Sequence, residues 1–265
     1  MKVLALHGWL DNAASFHRLA PLLPECEVVA LDFPGHGHSD HRAPGHVYSF
    51  VDYVLEIPEV LESLGWESVC ILGHSMGGAI GHLFSVACPE QVESLIMMEN
   101  LGPVPPWRPG TAAKQLSRAV SQWWRHSLEH RRFYTSVNDA LMARAKATPL
   151  SPSDLRPLVE RGLTRKTDDN GRAGYHWRTD KRLRLPSLLY LAEEQIQELL
   201  RSTSVPCQVI LADPVTEALD YPSRKKRIQS LNPDNIQKIA GCHHLHLSSP
   251  EPVAAAITDF LFQEN

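Results

Sequence analysis

The pentapeptide Gly73-His74-Ser75-Met76-Gly77 constrains this chain more than any other stretch. It follows the β-branched, apolar run Val69-Cys70-Ile71-Leu72 and opens a segment of helical spacing from Met76 to Cys88. A strand, a Gly-x-Ser-x-Gly turn and a helix together predict a sharp corner that lifts the serine hydroxyl out of a sheet. Gly73 and Gly77 stand two residues to either side of Ser75, where a Cβ would collide with neighbouring backbone. Gly78, Ala79 and Gly81 extend the run of small residues and let the helix lie close to the sheet. A glycine-rich turn with an incidental serine is the plainer reading. It is weakened by two distant segments, one near residue 7 and one near residue 243.

The chain has 265 residues, enough for one domain with an insertion and a sizeable core. A net charge of −4 gives no general attraction to nucleic acid or to an anionic membrane. The densest basic run, Arg224-Lys225-Lys226-Arg227, reads as the solvated face of a helix. No apolar stretch reaches membrane-spanning length, and Met1 to Leu6 is too short for a signal peptide before His7-Gly8 interrupts it. Five scattered cysteines without a C-x-x-C pair fit free thiols and a cytoplasmic location.

Short apolar runs at Val3–Leu6, Val28–Leu31, Val69–Leu72 and Val92–Met98 alternate with helical spacing. One such helix is expected from about Ser49 to Leu64, interrupted or kinked by Pro58. Continuous apolar strands between helices predict an α/β fold, a mostly parallel sheet with helices on both faces. The alternation stops after Asn100, where prolines cluster at 103, 105, 106 and 109. Helical patterns rich in Arg and Trp follow, broken by a weakly structured stretch from Thr167 to Gly174. The strand–helix pattern resumes with Cys207–Leu211, a helix near Pro222 to Leu231, a strand Ile236–Ile239 and a helix from Pro250 to Phe262. The expected organisation is a core of residues 1–101 and 205–265, with 102–204 inserted as a helical cap.

A serine hydroxyl is a poor nucleophile at neutral pH and needs a base, and that base needs a group to orient it. The expected base is His243, in the late loop Ala240-Gly241-Cys242-His243-His244-Leu245-His246 between a strand and a helix. The orienting acid is less determined. The usual Gly-x-x-Asp after the post-insertion strand is replaced here, because Ala212 takes the glycine place and Val215 the aspartate place. Glu99 closes the strand after the elbow helix, where an unexplained charge would be costly, and is the preferred acid. Asp213 and Asp220 stay open as alternatives. Oxyanion donors are expected from the backbone N–H groups of Met76 and of Trp9, which follows His7-Gly8. Neither the group His243, His244 and His246 nor the group His36, His38, His41 and His46 has the acidic or cysteine company of a metal site. Gly35-His36-Gly37 lacks the third glycine of a dinucleotide fingerprint, so no cofactor and no metal are expected.

At this point the chain resembles the α/β-hydrolase superfamily, and within it the serine hydrolase-like proteins. The resemblance rests on His7 to Phe16, Asp32-Phe33-Pro34-Gly35-His36-Gly37-His38-Ser39, the elbow, and Gly241 through Pro250, with its His-x-x-His-x-x-x-Pro spacing. It implies a mostly parallel, eight-stranded sheet with a helical cap over the active site, and an acid at the Glu99 position in some relatives. The chain starts at the strand before His7, so the two N-terminal strands usual in the family are expected to be missing, leaving an exposed sheet edge. Dehalogenases and epoxide hydrolases of this fold are set aside, because their chemistry needs a carboxylate where Ser75 stands.

The expected activity is cleavage of a small, apolar carboxylic ester through an acyl-enzyme on Ser75. Trp107, Trp123 and Trp124, with Phe133, Tyr134 and Trp177, would form an apolar substrate pocket, or else the cap's own core. Two rival readings are hydrolysis of a carbon–carbon bond in a diketone, and ligand binding on a hydrolase fold with little turnover. The expected partner is a small-molecule ester. Monomer and dimer are both open.

Overall fold

The computed structural model describes all residues except 105–110, 126–131, 169 and 263–265. The elements in chain order are β1 (Lys2–Leu6), β2 (Glu27–Leu31), α1 (Glu56–Leu64), β3 (Val69–His74), α2 (Met76–Ala87) and β4 (Val92–Met98). Then come α3 (Ala112–Trp124), α4 (Val137–Ala145), α5 (Pro152–Gly162), β5 (Leu163–Thr167), β6 (Ala173–Trp177) and α6 (Glu193–Arg201). The chain continues through β7 (Cys207–Asp213), α7 (Arg224–Leu231), β8 (Asn235–Ala240), α8 (Leu245–Ser248) and α9 (Pro250–Phe262).

Six strands form one sheet in the order β2-β1-β3-β4-β7-β8, and each pairing is parallel. The eight strands implied by the resemblance are therefore six among the described residues, with β2 and β8 at the edges. Alternate residues serve opposite faces, as the period of a strand requires. Leu4, Leu6, Ile71, Leu95, Met97, Val209 and Leu211 pack with α1, α2 and α6. Val3, Ala5, Cys70, Leu72, Ile96, Met98 and Ile210 pack with Phe16, Leu19 and the α9 residues Val253 and Ile257. Burial on both faces is why these strands read as continuous apolar runs rather than alternating ones.

Three local expectations change. Pro58 neither breaks nor kinks a long helix: residues 51–55 are a 3₁₀ helix, and Pro58 falls in the first turn of α1, where an N–H has no intrahelical acceptor anyway. The weak stretch around Thr167 to Gly174 is the turn end of an antiparallel hairpin, β5–β6, whose Asp168 carboxylate accepts the N–H groups of Asn170 and Arg172. Arg227 is not on a solvated face. It is fully buried, pairs with Glu193 at 2.7 Å and donates to the carbonyls of Leu101 and Pro103. That satisfies a buried guanidinium at both its charge and its N–H groups. Lys225 and Lys226 beside it are exposed.

The segment between β4 and β7 is not uniform. The α4–α5–hairpin portion has its own apolar cluster, including Ala140, Leu141, Leu155, Val159 and Leu163, which also takes in Leu247 of α8. By contrast α6, on the same side of the expected 204/205 boundary, buries Ile196 and Leu200 in the sheet's cluster. Arg161–Asp32 at 2.6 Å, Arg18–Asp154 at 2.7 Å and Arg144–Asp11 at 2.6 Å tie the α4–α5 portion to the sheet portion.

Candidate active site

The β3-to-α2 corner is tight for a stated steric reason. A Cβ on Gly73 would lie 2.5 Å from the Gly77 carbonyl oxygen, and one on Gly77 would collide with the carbonyl of Leu6. Ser75 itself sits at φ 50°, ψ −115°, a strained region that a non-glycine residue occupies only when its surroundings enforce it. Its N–H is held by the carbonyl of Met98 at 2.9 Å, and its carbonyl accepts the N–H of Gly78 and Ala79. The side chain is thus fixed at the carboxyl end of the central strands, where parallel sheets place their ligands.

Ser75, His243 and Glu99 come together there, although they lie far apart in the chain. Ser75 Oγ is 3.0 Å from His243 Nε2. His243 Nδ1 is 3.1 Å from Glu99 Oε2. A carboxylate can only accept, so Nδ1 carries the proton and Nε2 is left to accept from the serine hydroxyl. Glu99 is buried, has φ 50°, and accepts two further donors: the Ala212 N–H at 2.7 Å and the Thr216 hydroxyl at 2.5 Å. These bonds compensate the cost of burying its charge. Neither alternative acid reaches the histidine. Asp213 is exposed at the end of β7, and Asp220 is exposed after a 3₁₀ turn.

The loop after β1 closes the other side of Ser75. A Cβ on Gly8 would stand 3.4 Å from Ser75 Cβ and 2.9 Å from His74 Nδ1, so only glycine allows this approach. His7 braces the loop, donating from Nδ1 to the Gly8 carbonyl and accepting the Phe33 N–H at Nε2. The Trp9 indole is half exposed and donates to the carbonyl of Leu183 at 3.1 Å. Met76 opens α2, where first-turn N–H groups have no intrahelical acceptor and the helix dipole favours negative charge.

Three supporting residues, His74, Thr216 and Asp11, escaped sequence reasoning, whereas His244 and His246 are expected from sequence to serve loop packing. His74 is the variable residue inside the elbow motif. Its Nε2–H donates to the His243 carbonyl at 2.8 Å, bracing the loop that carries the candidate base. Its pKa is lowered well below the ordinary value, by burial first and then by the neighbouring histidines. His246 is likewise held down to about 3 by burial, and bonds Ser15 Oγ at 2.8 Å. Thr216 lies after the cis peptide Asp213–Pro214, a loop with no recognisable motif. Asp11 links His244 at 3.1 Å to Arg144 at 2.6 Å. Burial alone would raise the Asp11 pKa, but His244 and Arg144 outweigh it and hold the carboxyl well below the usual range. Among the described residues no group of His, Cys, Asp and Glu is arranged to hold a metal ion.

A cavity of about 800 Å³ opens beside the loop after β1. Tyr134 and Trp177 contribute to its wall, but Trp123 and Trp124 do not. Trp123 donates its indole N–H to the carbonyl of Pro186. Trp124 is 90% exposed, on a stripe of α3 with Leu116 and Val120. Trp107 lies outside the described residues. Beside apolar Leu10, Leu158 and Leu185, the wall carries five cationic side chains, Arg125, Arg132, Arg144, Lys181 and Arg184.

No helix among the described residues is long and apolar enough to cross a membrane. A family profile described as the alpha/beta hydrolase fold matches residues 3–248. A serine hydrolase-like protein of Danio rerio is 32% identical over 273 residues, covering 98% of this chain and 81% of that protein. A serine hydrolase-like protein of Dictyostelium discoideum is 29% identical, covering 99% of this chain and 75% of its own length. A solved structure of a hypothetical protein from Pseudomonas aeruginosa PAO1 superimposes with a TM-score of 0.88 at 37% identity, covering 98% and 91% of the two chains.

Proposed function

The chain belongs to the α/β-hydrolase family, alongside the serine hydrolase-like proteins, and on that premise we propose that it hydrolyses carboxylic esters through an acyl-enzyme on Ser75. One observation carries the reading: hydrogen-bond contacts run from Ser75 Oγ through both ring nitrogens of His243 to the buried carboxylate of Glu99.

His243 Nε2 takes the serine proton as Oγ attacks the ester carbonyl. Glu99 holds the ring in the Nδ1–H tautomer and stabilises the imidazolium that forms. The oxyanion lies against the N–H groups of Trp9 and Met76. As the tetrahedral species collapses, the C–O bond to the alcohol breaks and His243 gives its proton to the leaving oxygen. Water then attacks the acyl-enzyme, with His243 again taking and returning one proton. The products are one carboxylic acid and one alcohol. Residues 102–204, apart from the sheet-packed α6, act as the cap that admits the substrate.

The decisive test is labelling with a fluorophosphonate, followed by peptide mapping. The adduct is expected on Ser75 and absent from Ser75→Ala. An unlabelled wild-type protein would favour ligand binding with little turnover over hydrolysis.

A further inference from the structure

Five cationic side chains and one carboxylate, Asp180, line the described wall of the cavity, in a chain whose net charge is −4. The charges come from separate segments: Arg125 just past α3, Arg132 before α4, Arg144 on α4, and Lys181 and Arg184 on a 3₁₀ turn after β6. Asp180 does not neutralise the group, because it is already held by Arg182 at 2.7 Å and by the Tyr48 hydroxyl. Arg144 shares its charge with Asp11, yet its Nε is buried without a hydrogen-bond partner. Arg125 and Arg184 have no acidic partner among the described residues. Like charges gathered around a concave, partly desolvated surface repel one another, and an anion placed among them relieves that repulsion. Guanidinium groups, with their fixed forks of N–H donors, suit phosphate and carboxylate oxygens.

The cavity shares the loop after β1 with the candidate reacting centre, although Ser75, His243 and Glu99 do not line it. Leu10 and Asn12 line it, while Gly8 of the same loop approaches Ser75. Two residues of chain span at most about 7 Å, which sets the scale between the serine side and the cavity side of the loop. The Trp9 indole fastens that loop to Leu183, within the turn that carries Lys181 and Arg184. Asp11 connects Arg144 to His244, the residue after the candidate base.

We propose that this cavity binds an anionic group, phosphate or carboxylate, carried on the substrate away from its scissile carbonyl. The inference rests on the ester-hydrolase reading for its substrate class, but the anion site itself stands on the cavity. The substrate is then an acyl ester or thioester with a charged tail, rather than an apolar ester.

Two matched pairs test it: mono-p-nitrophenyl glutarate against p-nitrophenyl pentanoate, and butyryl-coenzyme A against butyryl-N-acetylcysteamine. The first pair places a carboxylate on the acyl side, the second places phosphates on the leaving group. At low salt, the charged member of at least one pair is expected to have a tenfold higher kcat/KM. That advantage should shrink in 0.5 M sodium chloride, where the screening length is roughly twofold shorter than at 0.1 M. In Arg125→Gln/Arg184→Gln the charged-to-neutral ratio is expected to fall about tenfold, while Arg184→Lys keeps most of it. Both arginines are exposed at the rim, so folding should tolerate the changes, and Tm checks this. Calorimetry with inorganic pyrophosphate provides an arm independent of turnover. Binding to wild type and to Ser75→Ala, weakened at least tenfold in the double variant, is expected. Pyrophosphate binding without hydrolysis of any substrate would keep the anion site and remove the hydrolase reading. Hydrolysis with no charged-substrate preference and no pyrophosphate binding would overturn the anion site alone.

Discussion

At Glu99 three donors converge on two buried carboxylate oxygens, whereas at the cavity Arg125 and Arg184 present guanidinium groups with no acidic partner among the described residues. The first arrangement is saturated before any ligand arrives. It fixes one histidine tautomer and one serine geometry, which is what a preorganised reacting centre requires. The second leaves two guanidinium groups open to an anion from outside, as far as the described residues go. The contrast separates chemistry from selectivity: variants of the saturated site should change kcat, and variants of the unsatisfied cavity should change the ranking of substrates.

The largest break comes at the serine. Ser75→Ala is expected to lower kcat by roughly 10⁴-fold or more on any ester that the wild type turns over, with Tm little changed. Near-wild-type turnover in that variant would dissolve the contrast, because the saturated cluster would then be only structural. Glu99→Gln follows, with a loss of about 10²- to 10⁴-fold. The amide cannot balance an imidazolium, and its NH₂ group can force the wrong tautomer on His243. Asp213→Asn and Asp220→Asn should stay within twofold of wild type, since both carboxylates are exposed and away from the histidine. Equal losses at Asp213 and Glu99 would mean that a different acid serves His243.

The two regions were also unequally legible in the sequence. Ser75 and its glycines form one contiguous motif, because the steric demands of a strand-to-helix corner fall on adjacent residues. Strand identity was readable for a similar reason, since burial on both sheet faces leaves unbroken apolar runs such as Val69–Leu72. Glu99 could be selected because a charge terminating the apolar run Ile96–Met98 demands an explanation. Thr216 could not, because its role depends on a loop path that no local pattern encodes. The basic lining is a juxtaposition of segments between residues 125 and 184 and carries no periodic signal. Trp123 and Trp124 stand off the cavity wall for the opposite reason: residue type leaves pocket and cap core both open, and orientation on α3 is a tertiary property.

Acid stability sharpens the comparison, because the buried neutral histidines belong to the sheet portion. Burial lowers His36 and His246 to about 3 and His82 to about 4, and it lowers His7 and His74 as well. Below pH 6.5 each takes a proton more readily in the unfolded chain than in the folded one. The unfolded state therefore binds more protons, and stability must fall as pH drops from about 6.5 towards 4, by up to about 1.4 kcal/mol per pH unit for each such group. Urea unfolding at pH 7.5 and 5.0 is expected to show a clear loss at the lower pH. His82→Gln lies on α2, away from the serine, and should reduce that loss by about one proton's share. An unchanged pH slope in this variant would mean that His82 titrates freely in the fold.

The smallest effect is expected at Trp124. Its side chain is 90% exposed on α3 and lines no part of the basic cavity, so Trp124→Ala removes little buried area. Surface changes of this kind stay within about 0.5 kcal/mol, and Tm should hardly move. The neighbouring Trp123→Ala loses a hydrogen bond to the Pro186 carbonyl and should cost about 1 kcal/mol more. Neither variant should alter the preference between p-nitrophenyl acetate, butyrate and octanoate. A shift in chain-length preference confined to Trp124→Ala would bring α3 to the substrate during turnover. Selectivity would then be shared between the arginines and an apolar cap surface that closes only over bound ester.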